Sequence, residues 1–220
     1  MTVIWLLPII PICFALITII TRRATGRLIQ WLSEGVALTC ALICVAIMVW
    51  ASGDAWLWAL VAAFVLSIGG DMFLTYRTKD VHYVAGIALF LLAHLGFLAF
   101  AITRVPFSWL RFGVVAALGL VLYFAVLLPH SNLKKRPAMA VAVIVYIMIS
   151  CASLAAALDL TSHSAARWVF AAGITSLAVS DIMIALRDFR GVSKVKPWVM
   201  PLYFLCHILV AVSVVLESVR

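Results

Sequence analysis

The chain has 220 residues, of which 67% are hydrophobic and only 11% are charged, where an ordinary soluble domain has roughly 25% charged residues. This composition excludes a soluble globular enzyme, a disordered chain and a nucleic-acid-binding module, because a small soluble fold has too little interior to bury two-thirds of its residues. The excess of sixteen Lys and Arg over eight Asp and Glu therefore indicates basic loops near anionic lipid rather than binding to nucleic acid.

Apolar runs long enough to cross a bilayer follow one another along the whole chain. Because a span needs about 20 apolar residues, we predict spans over 3–21, 29–50, 55–76, 82–103, 108–129, 137–158, 165–186 and 197–218. The runs are continuously apolar rather than alternating, which favours an all-α bundle of eight transmembrane helices in a single domain over 1–220.

The basic residues predict the orientation of this bundle. Twelve of the sixteen Lys and Arg fall in the first, third, fifth and seventh connections. Such a bias places those connections in the cytoplasm and both termini on the non-cytoplasmic side of the cell (inner) membrane. The first run follows no basic residue and precedes Arg22 and Arg23, which favours a first span over a cleaved signal peptide.

Two stretches of the chain resemble each other. GGDMFLTYR at 69–77 is similar to VSDIMIALR at 179–187, so that Asp71 and Asp181 are 110 residues apart. Each acid is followed in the next span by a histidine, His94 or His207. The offset predicts an internal repeat, 1–110 and 111–220, that forms two parallel four-helix halves.

Acidic residues inside predicted spans are candidate functional groups, because an ionisable side chain at membrane depth is costly. Asp71 and Asp181 each lie about five residues from the cytoplasmic end of a span, roughly 8 Å below the interface. Glu34 lies at a similar depth. Two carboxylates in one layer predict acid–base catalysis, in which one is kept protonated and the other activates water. The structural alternative is that these acids pair with nearby basic side chains.

Further polar residues are predicted to support these acids or to bind substrate. His94 and His207 lie about 7–10 Å deeper than the acids by helical rise, and Tyr203 precedes His207 by one turn and shares its face. Tyr146 is predicted to be a packing residue. Basic residues just above the acid layer are expected to hold a phosphate head group; they are Arg77, Arg187, Lys194 and Lys196.

Four segments together resemble the YhhN-like lysoplasmalogenase family of multi-pass membrane proteins. They are GGDMFL at 69–74, AGIALFLLAHLGFLAF at 85–100, GITSLAVSDIMIAL at 173–186 and YFLCHILVAVSVV at 203–215. The resemblance implies hydrolysis of the vinyl ether bond of a lysophospholipid substrate without a cofactor, giving a fatty aldehyde and glycerophosphoethanolamine or glycerophosphocholine. The acids of the family motifs fall on Asp71 and Asp181, and the histidines fall on His94 and His207. Glu34 departs from the family pattern, which often has a lysine there.

Two other functions fit the same residues. A metal-dependent lipid hydrolase would use the Asp and His side chains as ligands, although the depth difference between acids and histidines argues against a compact site. A small-molecule or lipid transporter would use parallel repeats with embedded acids, although these acids lie on one side of the membrane rather than at its midplane. The five cysteines lie inside apolar runs, which favours buried thiols over disulfides or a metal cluster.

Overall fold

The computed structural model describes residues 2–21, 27–75, 80–129, 131–161 and 164–219, and within them it is helical, with no strand. Eight of its helices are long and apolar enough to cross a membrane, which confirms the all-α bundle of eight spans. The helices are α1 (Ile9–Thr21), α2 (Arg27–Ile47), α3 (Leu57–Thr75), α4 (Asp80–Ile102), α5 (Trp109–Leu122), α6 (Pro137–Leu160), α7 (Ala165–Arg190) and α8 (Lys196–Ser218). Short π-helical turns extend α2 over Met48–Ser52 and α5 over Tyr123–Leu127.

Helix α7 is longer than its predicted span. It continues to Arg190, so that Arg187 and Arg190 lie in its last turn and not in a loop. Basic residues are favourable there because they face the negative end of the helix dipole. Gly191 then ends the helix at φ 69°, and its N–H donates to the carbonyl of Arg187. This left-handed backbone favours glycine.

The helices of the two halves of the chain pack in the same order. In each half the last two helices form the most closely packed pair, α3 with α4 and α7 with α8. Helix α2 packs on α3 as α6 packs on α7, and the halves meet where α2 packs on α8 and α4 packs on α6. A duplicated four-helix unit would pack in this order, and the duplication itself stays a prediction.

Two glycines let the paired helices approach closely. A Cβ atom on Gly96 of α4 would lie 2.8 Å from the carbonyl oxygen of Ala59 on α3. A Cβ atom on Gly173 of α7 would lie 3.1 Å from the carbonyl oxygen of Cys206 on α8. Close contact through small residues is a common way for membrane helices to pack. Gly113 of α5 differs, since nothing lies within 4 Å of a Cβ added there.

The tryptophans mark the two ends of the bundle. All of them are exposed: Trp5, Trp31, Trp50, Trp56, Trp58, Trp109, Trp168 and Trp198. Trp31 and Trp198 lie at the end where α7 ends and α8 begins, here called the basic end, and the others lie at the opposite end, here called the far end. From residue 31 to residue 50 the chain rises roughly 28 Å, close to the hydrocarbon thickness of about 30 Å. Aromatic belts of this kind are typical of membrane proteins. Which end faces the cytoplasm stays a prediction.

Two ion pairs border a cleft at the far end. The cleft has a volume of about 540 Å³. Arg104 at the end of α4 pairs with Asp54, which precedes α3. Arg167 at the start of α7 pairs with Glu217 at the end of α8, with Nε 2.9 Å from Oε1. Each half therefore ties its last two helices together at this end with one ion pair.

The cysteines are free thiols. Cys40, Cys44, Cys151 and Cys206 are buried, as predicted. Cys13 is exposed instead, because α1 packs against the bundle on one side only and leaves its other side open.

Candidate active site

Asp181 on α7 and His94 on α4 form a hydrogen-bonded pair inside the bundle, here called the Asp–His pair. The Nε2 atom of His94 lies 2.8 Å from Oδ2 of Asp181, and the His94 side chain is 1% exposed against 15% for Asp181. One proton lies between Nε2 and Oδ2, and either the imidazole or the carboxyl group can carry it. The pair joins the first half of the chain to the second and holds an exchangeable proton.

Two hydroxyl groups from α6 surround this pair. Ser150 Oγ lies 3.2 Å from His94 Nε2. The Tyr146 ring meets the His94 ring edge-on, with centroids 5.5 Å apart, and its hydroxyl interacts with Asp181 and Ser150. Tyr146 and Ser150 are four residues apart and so share one face of α6. Three helices therefore converge on one carboxylate.

Asp181 of this pair lines an apolar cavity, here called the lateral cavity, with His94 behind it. Its volume is about 490 Å³, and it is lined by α4, α5 with its π-helical turn, α6 and α7. Asp181, Tyr146 and Ser150 contribute polar groups, whereas the lining toward the far end is aliphatic, with Leu154 and Leu158. Counting from Ser150 to Leu158, that part extends roughly 12 Å along α6. A single hydrocarbon chain fits such a space.

The contact between Asp181 and His94 corrects one sequence-based expectation. The predicted spans placed the histidines well below the acids, but the two side chains are in direct contact. Asp181 lies about 13 Å from the end of α7 at Arg190, and His94 lies about 21 Å from the start of α4 at Asp80. Because the two side chains meet, the two helices do not end at one level, and rise along each helix does not give a common depth. Asp71 lies only about 6 Å from the end of α3 at Thr75.

Asp71 lies in a separate group of side chains, here called the Asp71 cluster. The hydroxyl of Tyr203 on α8 lies beside the Asp71 carboxylate and the Ser67 hydroxyl, but it completes no hydrogen bond within the described residues. Glu34 on α2 is close enough to interact with Asp71 and accepts a hydrogen bond of 2.8 Å from Gln30. Asp71 thus has another carboxylate as its charged neighbour.

His207 supports this cluster through packing. Its Nδ1 atom lies 2.8 Å from the carbonyl oxygen of Tyr203, and since a carbonyl only accepts, Nδ1 is the donor. The His207 ring packs on the rings of Tyr203 and Phe64, with centroids 4.3 and 5.3 Å away. Its Nε2 atom is buried without a partner in the described part of the chain. His207 therefore does not form the counterpart of the Asp–His pair.

Phe90 separates the Asp71 cluster from the lateral cavity. Its ring lines the cavity and meets the Tyr203 ring edge-on at 5.8 Å. A Cβ atom on Gly70 would lie 2.8 Å from this ring, so the glycine makes room for it. Asp71 itself does not line the cavity. Of the two predicted catalytic acids, the structure brings Asp181 to the cavity and leaves Asp71 behind Phe90.

The predicted head-group residues have different surroundings. Arg187 pairs with Asp188, with Nε 2.7 Å from Oδ1 and Nη2 3.2 Å from Oδ2. Lys194 and Lys196 are exposed at the basic end. Arg77 lies outside the described residues.

Sequence reasoning missed Tyr146, Ser150 and the neighbours of Arg187. Tyr146 was expected to be a packing residue, and the structure places its hydroxyl beside Asp181. The available signal was the spacing of a tyrosine and a serine on one face of an otherwise apolar span. Asp188 was hidden because it lies beyond the predicted end of span 7.

No group of three His, Cys, Asp or Glu side chains with the geometry of a metal site occurs in the described ranges. Asp181 and His94 supply two possible ligands, and their other neighbours include the hydroxyls of Ser150 and Tyr146 and the thiol of Cys206.

Comparison with known proteins identifies the family of the chain. A sequence model of the YhhN family matches residues 5–214. No curated protein and no solved structure matches the chain significantly. The match extends from α1 to α8 and includes the Asp–His pair, the lateral cavity and the Asp71 cluster.

Proposed function

Because this chain belongs to the YhhN family, we propose that it is a membrane hydrolase that cleaves the vinyl ether bond of a lysoplasmalogen, a lysophospholipid with an alkenyl chain. The observation that carries the proposal is the position of the Asp–His pair on the wall of an apolar cavity inside a multi-span bundle. A lipid chain can occupy the cavity while its polar linkage meets Asp181.

The reaction needs a proton donor next to the β-carbon of the vinyl ether. A vinyl ether is hydrolysed by protonation of its β-carbon, which turns the C=C–O group into an oxocarbenium ion. Water then adds to the carbon next to oxygen and loses a proton, giving a hemiacetal. Transfer of a proton to the ether oxygen with C–O cleavage releases the fatty aldehyde and the glycerophospho alcohol. The water consumed supplies the aldehyde oxygen and restores the proton, so the enzyme is unchanged.

In this reaction Asp181 delivers the proton that it shares with His94 to the β-carbon, and its carboxylate then faces the oxocarbenium ion. General acid catalysis by a positioned side chain is worth about 10²–10⁴-fold in rate, and a fixed negative charge stabilises the cation. His94 holds the carboxylate through its Nε2 hydrogen bond and returns the proton. The Tyr146 and Ser150 hydroxyls orient the carboxylate or the attacking water.

The other predicted site residues have supporting roles in this proposal. Asp71, with Tyr203, His207 and Glu34, positions Phe90 at the cavity wall rather than contacting the substrate. Basic residues at the basic end hold the phosphate, and they are Arg187, Lys194, Lys196 and, outside the described residues, Arg77. No cofactor is required by these steps.

The proposal is tested by hydrolysis in deuterium oxide. Purified protein in detergent is given 1-alkenyl-lysophosphatidylethanolamine, and the aldehyde is analysed by mass spectrometry. Protonation by a solvent-exchanged acid predicts one deuterium at C2 of the aldehyde and a rate lower than in ordinary water. The matched 1-alkyl lipid lacks the double bond and should release nothing. Absence of aldehyde, or aldehyde without deuterium at C2, would contradict the proposal.

A transporter is the second candidate, and one observation favours it. The bundle has a cleft at the far end in addition to the lateral cavity, as expected of a protein that opens to both sides. Flux of lysolipid in proteoliposomes, measured with the Asp181→Asn variant, separates the two functions. Transport by a variant that releases no aldehyde would favour the transporter.

A further inference from the structure

A second polar cluster stands where the lateral cavity reaches the basic end. Tyr83 on α4 lines the cavity, and its hydroxyl donates to Oδ2 of Asp188 at 3.3 Å. Asp188 also receives the two hydrogen bonds from Arg187. Phe189 and Leu186 line the cavity beside these residues. A cation and an anion, Arg187 and Asp188, therefore lie side by side next to residues that line this end of the cavity, although neither of them lines it.

The polar cluster around Asp188 and the Asp–His pair lie along the same face of α7. Asp188 follows Asp181 by seven residues, two turns of helix, and so lies on the same face of α7. The rise between them is roughly 10 Å. Ala185, between the two, also lines the cavity. A ligand that touches Asp181 and extends past Ala185 along the wall formed by α7 therefore reaches the end of the cavity that lies next to Asp188.

This spacing matches the proposed substrate. The vinyl β-carbon of a lysoplasmalogen is separated from the phosphorus by about seven bonds, roughly 8 Å when extended, and from a head-group nitrogen by about eleven bonds, roughly 13 Å. A distance of about 10 Å from Asp181 falls between the phosphate and the nitrogen. The alkenyl chain then points toward Leu154 and Leu158, where the lining is aliphatic.

The charges of the cluster match a zwitterion. A guanidinium has five N–H donors, and Arg187 uses two of its donor atoms for Asp188, so donors remain for a phosphate. The Asp188 side chain is only 10% exposed, which favours a small donor such as a primary ammonium over a bulky quaternary one. An ammonium can donate hydrogen bonds to a carboxylate, whereas a quaternary ammonium has none to donate.

On the basis of the proposed function, we propose that Arg187, Asp188 and Tyr83 form a head-group site that selects phosphoethanolamine. The phosphate binds to Arg187, and the ammonium binds to Asp188, which Tyr83 holds at the cavity wall. The site discriminates against phosphocholine, because its quaternary ammonium cannot donate a hydrogen bond to Asp188. It also discriminates against a head group that is phosphate alone, because the phosphate would place a second anion near the Asp188 carboxylate without a cation between them. Specificity thus arises about two helical turns from the reacting bond.

The test measures binding of lipids that the enzyme does not cleave. Three 1-alkyl lysolipids with the same chain carry phosphoethanolamine, phosphocholine or phosphate, and their dissociation constants are compared in detergent. The wild-type protein should bind the ethanolamine lipid about tenfold more tightly than the other two, the size expected for one charge-assisted hydrogen bond. Asp188→Asn should reduce this preference to about threefold or less. Arg187→Gln should weaken binding of all three lipids about tenfold.

The matched control is Asp54→Asn, which breaks a similar aspartate–arginine pair at the far end and should leave the preference unchanged. Tyr83→Phe keeps the ring and removes the hydrogen bond to Asp188, so it should reduce the preference even if Asp188→Asn fails to fold. Equal binding of the three lipids by the wild-type protein, or an unchanged preference in Tyr83→Phe and any folded Asp188→Asn protein, would overturn the site. Failure to release aldehyde from the alkenyl lipid would count against the proposed function and leave these binding results interpretable.

Discussion

Asp71 and Asp181 occur in similar stretches of sequence, but their surroundings in the bundle differ. Asp181 has His94 as a hydrogen-bond partner and lines the lateral cavity. Asp71 has Glu34 as its charged neighbour and lies behind the ring of Phe90. An acid beside a histidine and an open cavity can exchange a proton with a substrate. An acid that lies behind an aromatic ring and does not line the cavity is placed to support its neighbours instead.

One pair of corresponding positions shows how this difference arises. Gly70 precedes Asp71, and its missing side chain leaves room for the Phe90 ring. Ser180 precedes Asp181, and its hydroxyl donates to the carbonyl of Val199 at 3.0 Å, which ties α7 to α8. The two stretches therefore have different surroundings. Gly70 leaves room for the Phe90 ring beside Asp71, whereas Ser180 binds the Val199 carbonyl beside Asp181.

The strongest test of the difference between Asp71 and Asp181 replaces each aspartate with asparagine. Asp181→Asn should lower kcat by about 10³-fold, because the proton donor is lost, whereas Asp71→Asn should lower it by about tenfold or less. Aldehyde release is measured for both variants after size-exclusion chromatography shows folded protein. Equal losses in the two variants would mean that Asp71 takes part in the reaction directly, as the sequence alone suggested.

The two histidines offer the next largest contrast. His94→Gln should lower kcat about 100-fold, because Asp181 loses the partner that orients it and returns its proton. His207→Gln keeps an amide donor toward the Tyr203 carbonyl and should change kcat by less than about fivefold. Steady-state rates with the alkenyl lipid measure both effects. A larger loss for His207→Gln than for His94→Gln would contradict the assignment of the Asp–His pair as the reacting group.

The chain-binding part of the lateral cavity is tested with Leu154→Phe. The larger ring fills the aliphatic part of the cavity, so kcat/KM for a long alkenyl chain should fall about tenfold while that for a short chain changes little. Val141→Phe is the control, since Val141 lies on the same helix, is exposed and does not line the cavity. An equal loss for long and short chains would show that the chain lies elsewhere.

The smallest expected effect concerns the space beside Phe90. Gly70→Ala places a Cβ atom 2.8 Å from the Phe90 ring and should destabilise the protein by about 1–3 kcal/mol through overpacking. Gly113→Ala meets no atom within 4 Å and should be neutral or stabilise by up to about 1 kcal/mol through helix propensity. Thermal unfolding in detergent measures both. Equal stability of the two variants would mean that the ring is not held against α3.

Much of the fold could be predicted from composition and periodicity alone. Continuous apolar runs must form helices in a bilayer, because no other structure satisfies their backbone groups there, and eight runs gave eight helices. The scarcity of charged residues also made Asp71, Asp181 and His94 stand out. These conclusions depend on the hydropathy and charge of neighbouring residues, which can be read directly from the sequence.

The pairing of side chains across helices could not be predicted in this way. Depth along a span says nothing about which face of a helix meets which neighbour. Counting residues from helix ends places His94 deeper than Asp181, because it ignores the tilt and offset of the helices that bring the two side chains together. Tyr146, Ser150 and Asp188 became part of the site only through the packing of α6 and α7. The sequence by itself determined that a few acids would be embedded in the membrane. Only the tertiary structure decided that Asp181 meets a histidine and a cavity while Asp71 does not, because that depends on how the helices rotate and pack against one another.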